Sequence, residues 1–146
     1  MAVPSRGPVP PKDTVISLCP AKDQFAPSGV CTGITAEALR INDDGVSVTW
    51  VEYFSEPPAA LEQAALELKK TRKPSATGVL ACASVGRLLE VTAKLKLAAS
   101  VQHTPINGND AHSSILGCPN TLQVRMALAR AFHEFIPNKS VSGFYP

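Results

Sequence analysis

The chain has 146 residues, of which 45% are hydrophobic and 18% are charged, and its formal net charge is +2. This length fits one globular domain, in which roughly 68–70% of the unfolded surface becomes buried. The small net charge gives no indication of a nucleic-acid surface, and no run of about 18 apolar residues is present to span a membrane.

The amino terminus is rich in proline, with four prolines among the first eleven residues. Proline cannot enter a helix interior or a sheet ladder, so residues 1–12 are interpreted as a flexible arm. A single domain is expected over residues 13–137, followed by a tail over residues 138–146. No apolar stretch of a secretory signal is present at the start, so a cytoplasmic location with reduced cysteines is expected.

Runs of β-branched and apolar residues predict strands at 14–19, 46–54, 78–83 and 98–102. The second run alternates well and follows an Asp44-Gly45 turn, which favours a hairpin with residues 34–41, although that segment is also compatible with short helical turns. The third run is apolar throughout, as expected of a strand that is covered on both faces.

Periodic apolar residues predict helices at 57–72, 84–96 and 121–136. The basic run 69–73 is interpreted as complementing the end of the first helix, with a phosphate-binding patch as the less favoured alternative. The last helix is so apolar that it is expected to lie in the core or in a dimer interface.

These elements predict a single α+β (or small α/β) domain, with a mixed sheet of four or five strands packed by three helices. The second helix connects two predicted strands by short links, so those strands are expected to be parallel.

The segment from His103 to Cys118 concentrates polar side chains in what is predicted to be a loop after a strand, a common place for ligands in parallel sheets. Its histidines suit acid–base chemistry, a carboxylate can orient one of them, serine can act as a nucleophile, and amides can bind an oxyanion or a phosphate. The candidate catalytic residues are His103, Asp110, His112 and Ser113, and the candidate binding residues are Asn107, Asn109 and Ser114.

A structural interpretation of the same segment is equally well founded. Asn107-Gly108 and Asn109-Asp110 are turn formers, and His103 can bond a loop carbonyl. A zinc site of Cys82, His103, His112 and Cys118 is a further alternative, but no short ligand pair of the usual spacing is present. We therefore assign no metal ligands and no cofactor.

The residues His103-Thr-Pro105 and Asn109-Asp-Ala-His112 carry a resemblance to other proteins. Together with Ile115, they resemble a loop of small uncharacterised bacterial proteins, in which His-x-Pro is followed by Asn-x-Ala-His and a strand that contains isoleucine. The resemblance implies that this loop is a recurring part, and it implies no catalytic role.

No phosphate-cradling, dinucleotide-binding or nucleophile-elbow motif is present. We therefore expect a small protein that acts through a protein partner or as a homodimer, as an accessory subunit. The alternatives are a hydrolase or transferase acting on a phosphate- or nucleotide-containing substrate through His103, Asp110 and His112, and a zinc-stabilised module.

Overall fold

A computed structural model describes residues 4–55 and 58–145 of the chain. The strands are β1 (Thr14–Cys19), β2 (Gln24–Phe25), β3 (Gly33–Ile34), β4 (Val46–Trp50), β5 (Val79–Ser84), β6 (Ser100–His103), β7 (His112–Leu116) and β8 (Glu134–Pro137). The helices are α1 (Ala59–Lys69), α2 (Val85–Lys94) and α3 (Leu122–Ala131). Residues 1–3 of the predicted arm, residue 57 of the first predicted helix and residue 146 of the tail lie outside the described residues.

Six of these strands form one sheet in the order β6-β7-β4-β1-β5-β8, while β2 and β3 form a separate pair. The α+β class is therefore confirmed. Each neighbouring pair in the large sheet is antiparallel, so the sheet is not mixed, and it has one strand more than the upper expectation. Strands β5 and β6 do run in the same direction, as expected of the strands joined by α2, but three strands lie between them.

Helices cover both faces of the sheet. On one face α1 packs with Ile16, Leu80 and Cys82 in one apolar cluster. On the other face α2 and α3 pack against a larger cluster, which includes Val15 and Val48. Because adjacent residues of a strand point to opposite faces, β1 supplies Val15 to one cluster and Ile16 to the other.

Side-chain caps fix the starts of two helices. Ser84 Oγ accepts a hydrogen bond from the backbone N–H of Arg87 at the start of α2, at 3.1 Å. Thr121 Oγ1 accepts one from Val124 N at the start of α3, at 3.2 Å. Such caps satisfy N–H groups that have no partner within the helix. No helix in the described part of the chain is both long and apolar enough to cross a membrane.

The predicted hairpin between residues 34–41 and 46–54 is wrong. Strand β4 pairs with β1 and β7, while residues 36–38 form a 3₁₀ turn. The Asp44-Gly45 turn does form, with Gly45 at φ +86°, but it closes only the single bridge between Asn42 and Gly45. Since β4 buries Val48 and Thr49 on opposite faces, it fits the interior of the sheet better than a two-stranded ribbon.

The predicted last helix is too long, because residues 134–137 form β8 at the edge of the sheet. Leu80 pairs with Ile136, and His133 N donates to Cys82 O at 2.9 Å. These bonds satisfy the outer edge of β5, which would otherwise be buried without partners. Of the apolar residues after Ala131, Phe132 is a buried core residue, whereas Phe135 and Ile136 are partly buried residues of β8.

The terminal segments pack on the domain where they are described. Arg6 N donates to His103 O at 2.7 Å and Val9 N donates to Val101 O at 2.9 Å, so this segment runs along the outer edge of β6. Val9 is buried there. Near the other end, Val141 and Phe144 join the cluster beneath α1.

Leu68 and Leu66 on α1 form a matched pair for testing this packing. Leu68 is 7% exposed and Leu66 is 41% exposed. We expect Leu68→Ala to lower the free energy of unfolding by about 2–5 kcal/mol, because it removes buried contacts. Leu66→Ala is expected to change it by no more than about 0.5 kcal/mol. Urea denaturation followed by circular dichroism measures both, and equal losses would contradict the assigned face of α1.

Candidate functional site

The candidate residues lie where β6 ends and β7 begins, on a hairpin closed by residues 104–111. The predicted loop 103–118 is therefore too long, because His112, Ser113 and Ser114 belong to β7. His103 is paired with Ser113 across the two strands. The loop is folded tightly on itself, with reciprocal backbone hydrogen bonds between Ile106 and Asn109 at 3.0 and 3.2 Å.

His103 is a buried ring in an aromatic environment. Its Nε2 lies 2.7 Å from the backbone carbonyl of Asp110, which can only accept, so Nε2 carries a proton. The ring centroid lies 5.3 Å from that of Trp50 and 4.8 Å from that of Tyr53. Trp50 is held in turn by Asp13, whose Oδ2 accepts from Nε1 at 3.0 Å. His103 thus fastens the end of β6 to the loop that follows.

His112 lies on the opposite face of the sheet from His103, because His103 shares its face with Ser113, the next residue of β7. The Nδ1 of His112 lies 2.8 Å from the backbone carbonyl of Thr104 and so carries the proton. This leaves Nε2 as the basic nitrogen of the neutral ring. Thr104 Oγ1 also lies 2.7 Å from Ser114 Oγ, so these three side chains form one small network.

The remaining candidates divide into buried and exposed groups. Ser113 is fully buried and donates to Ala111 O at 3.3 Å. Asn109 is 2% exposed; its amide donates to Thr49 Oγ1 at 3.1 Å, and its carbonyl accepts from Ala111 N at 3.1 Å. In contrast, Asn107 and Asp110 are exposed.

A carboxylate from α1 ties this loop to the body of the domain. The buried Glu67 accepts from Asp110 N at 3.1 Å and from Lys70 Nζ at 2.8 Å. The hydrogen bond and the negative charge of Glu67 raise the pKa of Lys70. No sequence pattern marks Glu67 as part of this site, since it occupies an ordinary helical position.

The structure therefore does not bring the predicted catalytic set together. His103 and His112 point to opposite faces of the sheet, and Asp110 meets His103 through its backbone rather than its carboxylate. Among the candidates, His112 and Asn109 line a cleft of about 210 Å³ beside Arg72 and Leu68. Any chemistry in this region belongs to that cleft.

Metal-binding geometry is missing from the described ranges, 4–55 and 58–145. No three His, Cys, Asp or Glu side chains within them are grouped so that they can hold a metal ion. The proposed ligands of the zinc alternative include His103 and His112, which lie on opposite faces. The geometry gives that alternative no ligand set among these residues.

A second candidate surface lies between α3 and the β2–β3 pair, and we call it the α3 groove. It has a volume of about 460 Å³ and lies between Glu37 and Arg130. Three of its apolar residues are largely exposed: Phe25 at 57%, Leu122 at 56% and Met126 at 39%. The lining residues are Phe25, Ile34, Thr35, Ala36, Glu37, Leu122, Met126, Ala129 and Arg130.

Sequence reasoning missed this groove for two reasons. Residues 21–33 contain Pro27, Gly29 and Gly33, which favour a loop, although Phe25 in such a polar segment is a usable signal. In α3 the core-facing residues include Val124 and Leu128, whereas Leu122 and Met126 are exposed.

Comparisons of this chain with protein-family models, with curated proteins and with solved structures find no significant match. The assignment of a function therefore rests on the site and surface geometry alone.

Asn109 and Asn107 allow the structural role of the loop to be tested. We expect Asn109→Ala to destabilise the protein by about 1–3 kcal/mol, because it leaves Thr49 and Ala111 N without their buried partner. The exposed Asn107→Ala is the control and is expected to cost less than about 0.5 kcal/mol. Thermal and urea unfolding give both values, and a neutral Asn109→Ala would contradict the buried network.

Two cysteines are expected to be chemically inert in the native protein. Burial raises the pKa of both Cys19 and Cys82 from 9.0 to about 12. At pH 8 the thiolate fraction of each falls roughly a thousandfold, so iodoacetamide labels them that much more slowly than in guanidinium chloride. Peptide mapping by mass spectrometry measures each site separately, and fast native labelling would contradict the burial.

The raised pKa values of Cys19 and Cys82 also make the stability of the folded protein depend on pH. The folded pKa is higher than the unfolded value, so the stability from these protonated thiols is present below about pH 9. It is lost as the pH rises from about 9 to about 12. Cys82→Ala is expected to reduce this alkaline loss.

Proposed function

We propose that this protein acts by binding another polypeptide at the α3 groove, and that the occupant is a second copy of the same chain. The observation that carries the proposal is the exposure of Phe25, Leu122 and Met126 along one groove. Single exposed apolar residues are ordinary on protein surfaces, whereas several that line one concave surface mark an interaction site.

Both walls of the groove are held by the rest of the fold. Helix α3 is anchored in the core through Val124 and Leu128. The opposite wall is fastened by Gln24, whose Nε2 donates to Cys19 O and to Thr77 O, both at 3.1 Å. A preformed surface loses little conformational entropy on binding, so more of the contact energy contributes to affinity.

The charges at the groove favour a second copy as the occupant. Glu37 and Arg130 both line it, and neither forms an ion pair with the residues described here. A hydrogen bond from its own backbone N–H, together with the nearby charges of Arg125 and Lys22, lowers the pKa of Glu37. In a two-fold dimer the same surface meets itself, so Arg130 of each copy can face Glu37 of the other.

The four cysteines are free thiols, which suits a reducing compartment. A cytoplasmic accessory subunit that works as a homodimer is thus our proposal for the protein as a whole.

Sedimentation velocity over a range of concentrations tests the dimer. We expect Met126→Lys and Leu122→Lys each to weaken self-association by at least about tenfold, because each places a charge in an apolar interface. The control is Leu66→Lys on α1, which is exposed to a similar extent on a different surface. A wild-type monomer at about 500 µM, or an equal loss in the control, contradicts the proposal.

Exchanging the charges of Glu37 and Arg130 tests whether these two residues pair across the dimer. Glu37→Arg and Arg130→Glu are each expected to weaken the dimer, since each places like charges in opposition. The double variant restores the opposite-charge pair and should recover most of the affinity. Additive losses in the double variant would contradict the proposed pairing of Glu37 with Arg130.

One observation favours a second candidate, a hydrolase or transferase acting on a phosphate-containing substrate. The Nδ1 of His112 is fixed by the Thr104 carbonyl, and the ring lines a cleft together with Arg72. A neutral histidine with one nitrogen fixed is suited to act as a general base. Turnover of a phosphate ester that is lost in His112→Gln and retained in His103→Gln would support this candidate over the binding role.

A further inference from the structure

We propose that a basic cleft next to the α3 groove binds a small oxyanion. The cleft consists of two adjoining cavities, of about 350 and 430 Å³, which share Lys22, Glu37 and Arg40. One end lies beside Arg125 and Asn120, and the other reaches Arg72 near Ser17 and Ser47 of the sheet.

The lining of the cleft carries a net positive charge. Lys22, Arg40, Arg72 and Arg125 line it against the carboxylates of Asp23 and Glu37, so four positive and two negative groups give +2. Within the described ranges, the only one of these cations in an ion pair is Lys22, whose Nζ lies 3.4 Å from Asp23 Oδ2.

Arg125 provides the second, independent observation. Its Nε is buried and has no hydrogen-bond partner among the described residues, although it is a strong donor. A buried donor without an acceptor is unfavourable. Arg125 also lines the cleft, where ligand oxygens can accept hydrogen bonds from its guanidinium. Arg125 is held on the first turn of α3 by the bond from its backbone N–H to Thr121 O at 3.0 Å.

The amino end of α3 adds a favourable electrostatic field at the Arg125 end of the cleft. Helix α3 begins at Leu122 and has ten residues. Asn120, which lines the cleft, lies two residues before the first residue of this helix. The amino end of a helix carries partial positive charge, which favours an anion nearby. The helix end, Arg125 and Arg40 therefore act in the same direction.

The side chains that line the basic cleft indicate which class of ligand it binds. Guanidinium groups match the paired oxygens of phosphates and carboxylates, and three arginines are available. Among the residues that the structure describes, no aromatic side chain lines either cavity, so these residues provide no ring on which a nucleobase could stack. The ligand class is therefore a small, multiply charged phosphate or carboxylate compound, rather than a nucleic acid.

Isothermal titration at constant ionic strength tests this inference with three probes: orthophosphate, pyrophosphate and citrate. We expect at least one probe to bind with a dissociation constant below about 1 mM. Preference for pyrophosphate over citrate assigns a phosphate ligand, and the reverse preference assigns a carboxylate ligand. Failure of all three probes to bind at about 10 mM overturns the proposal.

Arginine substitutions test whether the probes bind in the basic cleft. Arg125→Gln is expected to lower the affinity for the preferred probe by about tenfold or more, because it removes a charge-assisted hydrogen bond. Arg87→Gln on α2, an exposed arginine that lines neither cavity, is the control and should bind as the wild type does. If Arg125→Gln fails to fold, the exposed Arg40→Gln takes its place. Unchanged affinity in the cleft variant, or an equal loss in the control, overturns the proposal.

Neither Arg125 nor Arg40 lines the α3 groove, so Arg125→Gln and Arg40→Gln leave the lining of that groove unchanged.

Discussion

Strand β1 is the element on which the rest of the structure depends, because it is hydrogen-bonded along both edges and buried on both faces. All six of its residues pair with β5, and Val15 and Ile16 pair with β4 on the other side. Those two residues are fully buried, one beneath α2 and α3 and the other beneath α1. A polar residue at either position would leave a charge or dipole without solvent in one of the two clusters.

The histidine-rich segment illustrates how a domain of this size uses polar side chains for structure. Bonds from Asn109 to Thr49, from Glu67 to the Asp110 backbone, and from Thr104 to His112 and Ser114 connect the loop to β4, α1 and β7. These bonds satisfy groups that burial would otherwise leave unpaired. Two further surfaces lie beside α3, which presents apolar residues to the α3 groove and Arg125 to the basic cleft. Because Glu37 lines both surfaces, occupation of one would change the charge environment of the other.

The sequence determined the features that depend on local pattern. A β-prone run located β1 and a continuous apolar run located β5, each almost residue for residue, and apolar periodicity located α1 and α2 to within a few residues. Ser84 and Thr121 stand directly before α2 and α3 and cap them, and such caps have a sequence signal because capping depends on a few adjacent residues. The turn residues of the 104–111 loop were also correctly identified as a structural alternative to chemistry, because Asn and Asp bond to nearby backbone atoms in any fold.

Only the tertiary structure decided which strands are neighbours, and the character of each site follows from that order. Residues 132–136 continue the predicted helix, yet residues 134–137 form β8 and pair with the edge of β5, since unpaired backbone groups are costly when buried. The pairing of His103 with Ser113 places the two histidines on opposite faces, a result that no local pattern contains. The α3 groove and the basic cleft likewise combine residues far apart in the chain, such as Phe25 with Met126 and Arg40 with Arg125. Sequence spacing carries no information about such contacts, because they arise from packing around a shared core.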